Sequence, residues 1–325
     1  MKKAFLALSF ISIFLSSCKN DLEIIGDQKE VIVIYALLNK SDSISYIKVN
    51  KGFASQTEGP IQLAQEPDNL FFDTLNVELK DLTNGSVFHF NKSSMDKDPG
   101  TFTQAVNYIY AAPVPLQTGH TYQVNVTNPI SGNVAYSSIN LIGDPTPKVP
   151  VESTIDYYTI VPDKLFTVSF DADPIYAIQY EIRMNFIYDE INTNTSTTVT
   201  DTIQWTITTG KFSDGNRVIL RLLGSEFYNY LASRLEQKGP EIIRRGKYLQ
   251  TEYWTADREL STYMDVYGTS SIGVVQKKSD YTNIKGGFGI FASRNSFKVT
   301  STKLSSSVSD QLKTNPALTP FHFVD

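Results

Sequence analysis

Asp171 and Asp173, and again Asp96 and Asp98, place two carboxylates at i and i+2, the spacing that opens a calcium loop, and Asp189-Glu190 adds a further acidic pair. Each run lacks the central glycine and later ligands of a full EF-hand loop, so these acids read as Asp/Pro turns. His89, His120 and His322 lie far apart with no second histidine or carboxylate at i+4, which gives a zinc ion no paired ligands on one helix face. His89 reads as the polar face of the strand Val87-Phe88-His89-Phe90. Gly286-Gly287-Phe288-Gly289 has the close glycine spacing of a phosphate cradle, but the strand-like Ile290-Phe291-Ala292 follows instead of a helix. A tight turn or bulge is the reading there. No Gly-x-Ser-x-Gly elbow presents a nucleophilic serine. Two acids from distant segments could still meet for glycoside hydrolysis, and no pair stands out. The expectation is a non-enzymatic protein with no cofactor and no metal site. Among the aromatics, Trp205 alternates with Ile203 and Ile207 and reads as core. Trp254, within Glu252-Tyr253-Trp254-Thr255, sits among polar residues and is the candidate contact aromatic for a sugar or a protein.

The one cysteine carries a different chemistry. Lys2 and Lys3 precede an uncharged run from Ala4 to Leu15, about the length of a signal-peptide core and too short to span a bilayer. The run ends in Leu15-Ser16-Ser17-Cys18, which resembles a bacterial lipobox: an aliphatic residue, two small residues and a cysteine whose thiol is acylated. Residues 1–17 are expected to be removed, and residues 18–28 to form a lipidated tether. Losing Lys2 and Lys3 takes the formal charge from −5 to −7. With each buried CH₂ contributing about 0.8 kcal/mol, the acyl chains would hold this acidic chain on a membrane. Lys19, Asn20, Asp21 and Glu23 resemble the export signal of Bacteroidetes surface lipoproteins, a resemblance that implies the outer membrane, facing the cell exterior, as the expected address. Ser43, Thr74 and Thr202 each follow an aspartate and precede an aliphatic residue, a pattern of bacterial O-glycosylation.

These residues must be positioned by a body of 325 residues that is 41% hydrophobic and 19% charged. That is enough apolar material for two cores. With no basic run longer than Arg244-Arg245, nucleic acid is excluded as a partner. Strands are predicted at Val31–Leu38 and Ile44–Val49, at Leu75–Leu82 and Ser86–Phe90 around Asn84-Gly85, and at 101–103, 121–127 and 134–141. They predict an immunoglobulin-like β-sandwich over residues 29–142. The run Gly143-Asp144-Pro145-Thr146-Pro147-Lys148-Val149-Pro150 predicts a stiff linker over 143–150. A second β-rich domain over 151–325 would hold strands at 165–170, 177–188, 197–208 and 289–302. It would carry one amphipathic helix near 225–238, capped by Ser225 and ended by Gly239-Pro240. The fold class is therefore mainly β.

The lipobox, the early Val33-Ile34-Tyr35-Ala36-Leu37-Leu38 strand, the segment Leu222–Leu235 with Tyr228-Asn229-Tyr230, and Asn283-Ile284-Lys285-Gly286-Gly287-Phe288-Gly289-Ile290-Phe291 together resemble a Bacteroidetes family of outer-membrane lipoproteins of unknown function. Members are commonly encoded beside TonB-dependent receptors. The resemblance implies an accessory subunit of an outer-membrane β-barrel complex, foremost a TonB-dependent transporter, and implies no catalytic residue. The alternatives are a stand-alone glycan- or protein-binding adhesin and an extracellular hydrolase.

Overall fold

A computed structural model describes residues 31–52, 60–152, 157–213, 215–268 and 281–325. The leader, Cys18, the 18–28 tether and the export residues Lys19, Asn20, Asp21 and Glu23 lie outside the described residues. The fold is mainly β. Val31-Ile32-Val33-Ile34 is β-branched throughout and opens strand β1 (Val31–Leu38), which pairs antiparallel with β2 (Ser45–Gly52) as the sequence predicts. Two short helices, α1 (Pro60–Leu63) and α2 (Pro67–Leu70), follow. Next come β3 (Asn76–Asp81), β4 (Val87–His89), β5 (Asn91–Ser94), β6 (Tyr108–Ala112), β7 (Thr121–Thr127) and β8 (Val134–Asn140). The second half runs β9 (Thr146–Val149), β10 (Tyr157–Tyr158), β11 (Leu165–Asp171), β12 (Gln179–Asn192), β13 (Thr197–Lys211) and β14 (Arg217–Leu223). It continues with α3 (Gly224–Arg234), β15 (Ile242–Ala256), α4 (Arg258–Tyr267), β16 (Gly287–Leu304), α5 (Ser306–Thr314) and β17 (Phe323–Val324).

One sheet joins the two halves. Its order is β13-β12-β15-β16-β1-β2-β6-β5, with β10 added on β16 and β17 on β15. The eighteen-residue β16 makes the join: Gly287–Ser293 lies parallel to β1, and Arg294–Lys303 lies antiparallel to β15. The 143–150 run, expected as a linker, is built into the structure. Residues 146–149 form β9, which pairs with β11 in a three-stranded sheet β14-β11-β9. Gly143 N–H donates to Asp173 Oδ2 at 2.7 Å. The prolines suit this because β9 is an edge strand, where a missing N–H leaves no ladder bond unmade.

Each end of the main sheet faces its own core. Ile32, Ile34, Ile47 and Val49 pack against Val77, Leu79, Val124, Val126 and Ile139 of the four-stranded sheet β4-β3-β7-β8. At the other end, Ile182, Met184, Phe186, Leu249, Tyr253 and Val299 pack on β11 and on Phe227, Tyr228 and Leu231 of α3. Each fully buried aliphatic side chain contributes about 1.5–3 kcal/mol. Between the cores, β16 turns two polar side chains inward, Ser293 and Asn295, both fully buried. Ser293 Oγ accepts from Ile142 N at 3.1 Å, and Asn295 Nδ2 donates to Asp144 Oδ1 at 2.7 Å. This seam ties the crossover between the halves to the sheet without leaving the two groups orphaned.

Three helices of nine or more residues are described, where the sequence suggested one. α3 ends at Arg234 and is preceded by Leu223, with no cap from Ser225. α4 and α5 are short and capped by Asp257 and Ser305, whose side chains accept from Leu260 and Val308 N–H. Residues 101–103 form no strand; the polar β5 pairs with β6 instead. The long central β15, unpredicted, hides its alternation behind Arg244, Arg245 and Lys247.

The glycine motif is explained by strand contact. Gly289 holds φ +107°, and a Cβ there would lie 2.0 Å from Ile34 O. Gly286, at φ +75°, would meet Val134 O at 2.2 Å. Asn283 extends the ladder with its side chain: Phe291 N–H donates to Oδ1 at 2.9 Å, and Nδ2 donates to Phe291 O at 2.6 Å.

Candidate functional site

Alternation along β12, β15 and β16 sends the apolar residues into the core and leaves Glu181, Arg183, Glu252, Trp254, Arg294 and Lys298 on the opposite face. Trp254 lies opposite Glu181 on one neighbouring strand and Ser296 on the other. Two guanidiniums reach its ring from those strands, Arg183 at 5.3 Å and Arg294 at 5.4 Å from the centroid. Each such contact contributes about 0.5–2 kcal/mol, rising with desolvation. Glu252 fixes the indole: its carboxylate accepts from Trp254 Nε1 at 3.1 Å and from Asn185 Nδ2 at 3.1 Å, and pairs with Lys298 at 3.2 Å.

Leu260 and Met264 of α4 close one side of this arrangement and leave a cavity of about 130 Å³. Arg183 is ion-paired with Glu181. Arg294 differs, because its Nε is buried and makes no hydrogen bond, and no carboxylate pairs with it among the described residues. The buried Gln179 Oε1 on the same cavity is likewise unpartnered. A half-buried guanidinium without a counter-ion beside a fixed indole can take a carboxylate in charge-assisted, forked hydrogen bonds.

Among the carboxylates spaced for metal or acid–base chemistry, Asp171, Asp173, Asp189 and Glu190 are engaged, while Asp96 and Asp98 lie exposed outside any strand or helix. Asp171 accepts from Arg217 at 2.6 and 2.8 Å, and that guanidinium holds its carboxyl below the ordinary range. Asp173 accepts from three backbone N–H groups. Asp189 pairs with Lys247, and Glu190 pairs with Lys238 and the buried Arg244. His120 Nδ1 lies 2.7 Å from the buried Asp81, while His89 lies 3.3 Å from Glu78. Ser43, Thr74 and Thr202 are all exposed, and Thr202 lies on the edge strand β13. Trp205 is half-buried against the second core and stacks on Tyr230, with centroids 5.4 Å apart.

No family model matches the chain, and no curated protein matches it. Two site residues therefore rest on geometry alone. Arg183 and Arg294 carry no mark in the sequence, because the strand pairing that brings them to Trp254 is non-local. Asp257 does carry one, since Asp257 before Leu260, Tyr263, Met264 and Tyr267 is a helix-start pattern. Burial pushes its carboxyl up to about 7, against the opposing pull of the Leu260 and Ser293 N–H groups it accepts from.

Proposed function

We propose that this chain is a non-enzymatic, lipid-anchored outer-membrane protein that faces the cell exterior. It acts as an accessory subunit of an outer-membrane β-barrel complex, foremost a TonB-dependent transporter. The anchor rests on Leu15-Ser16-Ser17-Cys18 at the end of the apolar leader. The subunit role rests on the groove at Trp254, where an oriented indole and an unpaired Arg294 stand on the sheet face opposite the core. Trp and Arg are the side chains that most often dominate protein–protein contacts, and the indole is held by Glu252, which lowers the entropy cost of docking. An acidic side chain of the partner would fit between Arg183 and Arg294. The guanidiniums beside the ring favour this over a sugar stacked on the indole, so the adhesin reading is second.

The test is a mild-detergent pull-down of full-length protein from native outer membranes, with partners identified by mass spectrometry. A near-stoichiometric β-barrel, lost with Trp254→Ala or Arg294→Ala, is the expected result. A protein that comes down alone, even after cross-linking, refutes the subunit reading.

A further inference from the structure

A second cavity, of about 420 Å³, lies on the outer face of β1 and β2, away from the Trp254 groove. Its floor is Val33 and Tyr35, whose neighbours Ile32 and Ile34 point into the first core. Phe71 after α2 and Phe102 from the 95–107 segment supply aromatic walls. Two ammoniums line it. Lys48 Nζ lies 5.5 Å from the Phe71 centroid and bonds to Asn107 Oδ1. Lys97 Nζ lies 5.9 Å from the Phe102 centroid and donates to Phe102 O at 3.1 Å. Every acceptor these two amines use is neutral, and among the described residues neither has a carboxylate partner, although acidic residues outnumber basic ones in this chain. Burial, and after it the nearby Lys97, lower the pKa of Lys48. On the same wall, Asn50 Oδ1 is buried without a hydrogen-bond partner.

We propose that this cavity binds a small organic anion with an aromatic body: a ring system between Phe71 and Phe102, a carboxylate or sulfonate bridging Lys48 and Lys97, and one hydroxyl donating to Asn50 Oδ1. The groups present match that ligand one by one. Rings offer apolar area and π-faces, the paired ammoniums gain a counter-ion, and the orphaned amide oxygen gains a donor. An inorganic anion alone would leave the aromatic walls wet and Asn50 unsatisfied. A neutral aromatic would leave the two ammoniums unpaired.

The probe is 6-hydroxy-2-naphthoate, titrated by calorimetry into the full-length protein in lipid nanodiscs with empty nanodiscs subtracted. Saturable one-site binding is expected, weakened about tenfold or more by Lys48→Met and by Lys97→Met and unchanged by Lys164→Met on the distant half. Neutral 2-naphthol and inorganic sulfate should each bind at least about tenfold more weakly than the naphthoate. Absence of saturable binding, wild-type affinity in either methionine variant, or 2-naphthol binding as tightly as the naphthoate overturns the proposal. Circular dichroism checks that each variant folds. Should Lys48→Met unfold, Lys97→Met, outside any strand or helix, decides the matter by itself.

Discussion

Replacing Gly289 by alanine tests whether the join between β1 and β16 is as close as described. The residue sits at φ +107°, where an L side chain is strained by about 1–2 kcal/mol. The added Cβ would also stand 2.0 Å from Ile34 O, so the strands must part by more than an ångström to restore ordinary contact. Parting them breaks the neighbouring ladder bonds of the Ile34–Gly289 and Tyr35–Ile290 register, at about 1 kcal/mol each. It also disturbs Ile34 and Phe291, both fully buried, and strain of this kind in a packed core costs about 1–3 kcal/mol. The sum is about 4–7 kcal/mol, a large part of the total stability of a typical domain. Gly85→Ala is the matched control, because Gly85 has φ +81° but nothing within 4 Å of its would-be Cβ. It should cost only about 1–2 kcal/mol. Urea unfolding of both variants, followed by tryptophan fluorescence, gives the comparison. A Gly289→Ala midpoint within experimental error of Gly85→Ala would refute the account of the glycine motif.

Other consequences can be measured on the same protein. Arg244, 1% exposed, bonds to Glu190 at 2.9 Å and to Phe321 O and Glu236 O at 3.0 Å; Arg244→Met should cost about 3 kcal/mol by orphaning these acceptors, read by urea unfolding. Lys238→Met, which removes the solvent-side partner of the same Glu190, should cost less than about 1 kcal/mol in the same assay. Asp257 holds its proton more tightly folded than unfolded, so its contribution to stability is greatest below pH 4 and is lost as pH rises to about 7. Relative to Asp257→Asn, wild type should lose about 2–4 kcal/mol over that window and nothing beyond it; a flat difference in urea midpoints would count against the burial of this carboxyl. Cys18→Ala should release the protein from the membrane fraction and abolish labelling by palmitate, and retention of both would refute the lipobox reading.

Legibility in the sequence followed the distance over which the information acts. The β1/β2 and β3/β4 hairpins could be read directly, because their turns and alternation are local. The parallel pairing of β1 with β16 could not, since partners some 250 positions apart leave no local signal; the glycines at 286, 287 and 289 register it only as a turn. The pairing of the 143–150 run is hidden for a related reason. Proline stiffens a free segment and an edge strand alike, and only the neighbour, β11, distinguishes them. For the site, Trp254 could be picked out from its polar surroundings, but its two arginines arrive from strands on either side and become visible only once β12, β15 and β16 are in register.

Because β16 takes part in both pairings, the two candidate sites share a support. Val33 and Tyr35 of the anion cavity and Arg294 of the Trp254 groove lie on one face of the same sheet. Helix α4 runs between them, with Leu260 and Met264 at the groove and Tyr267 near Tyr35, whose pKa is raised by burial and then by that neighbour. The start of α4 is fixed by Asp257, which caps the helix and accepts from Ser293 N–H of β16 at 2.7 Å. A change that shifts β16 against β1 must therefore move the cavity floor, the helix start and Arg294 together. Where Gly289→Ala still folds, it should weaken naphthoate binding and barrel co-purification in the same preparation, although it contacts neither site. Gly85→Ala, on the β3/β4 turn of the other sheet, should leave both intact. Loss of one activity without the other in Gly289→Ala would show that the two halves move independently and that the seam at Ser293 and Asn295 does not bind them into one body.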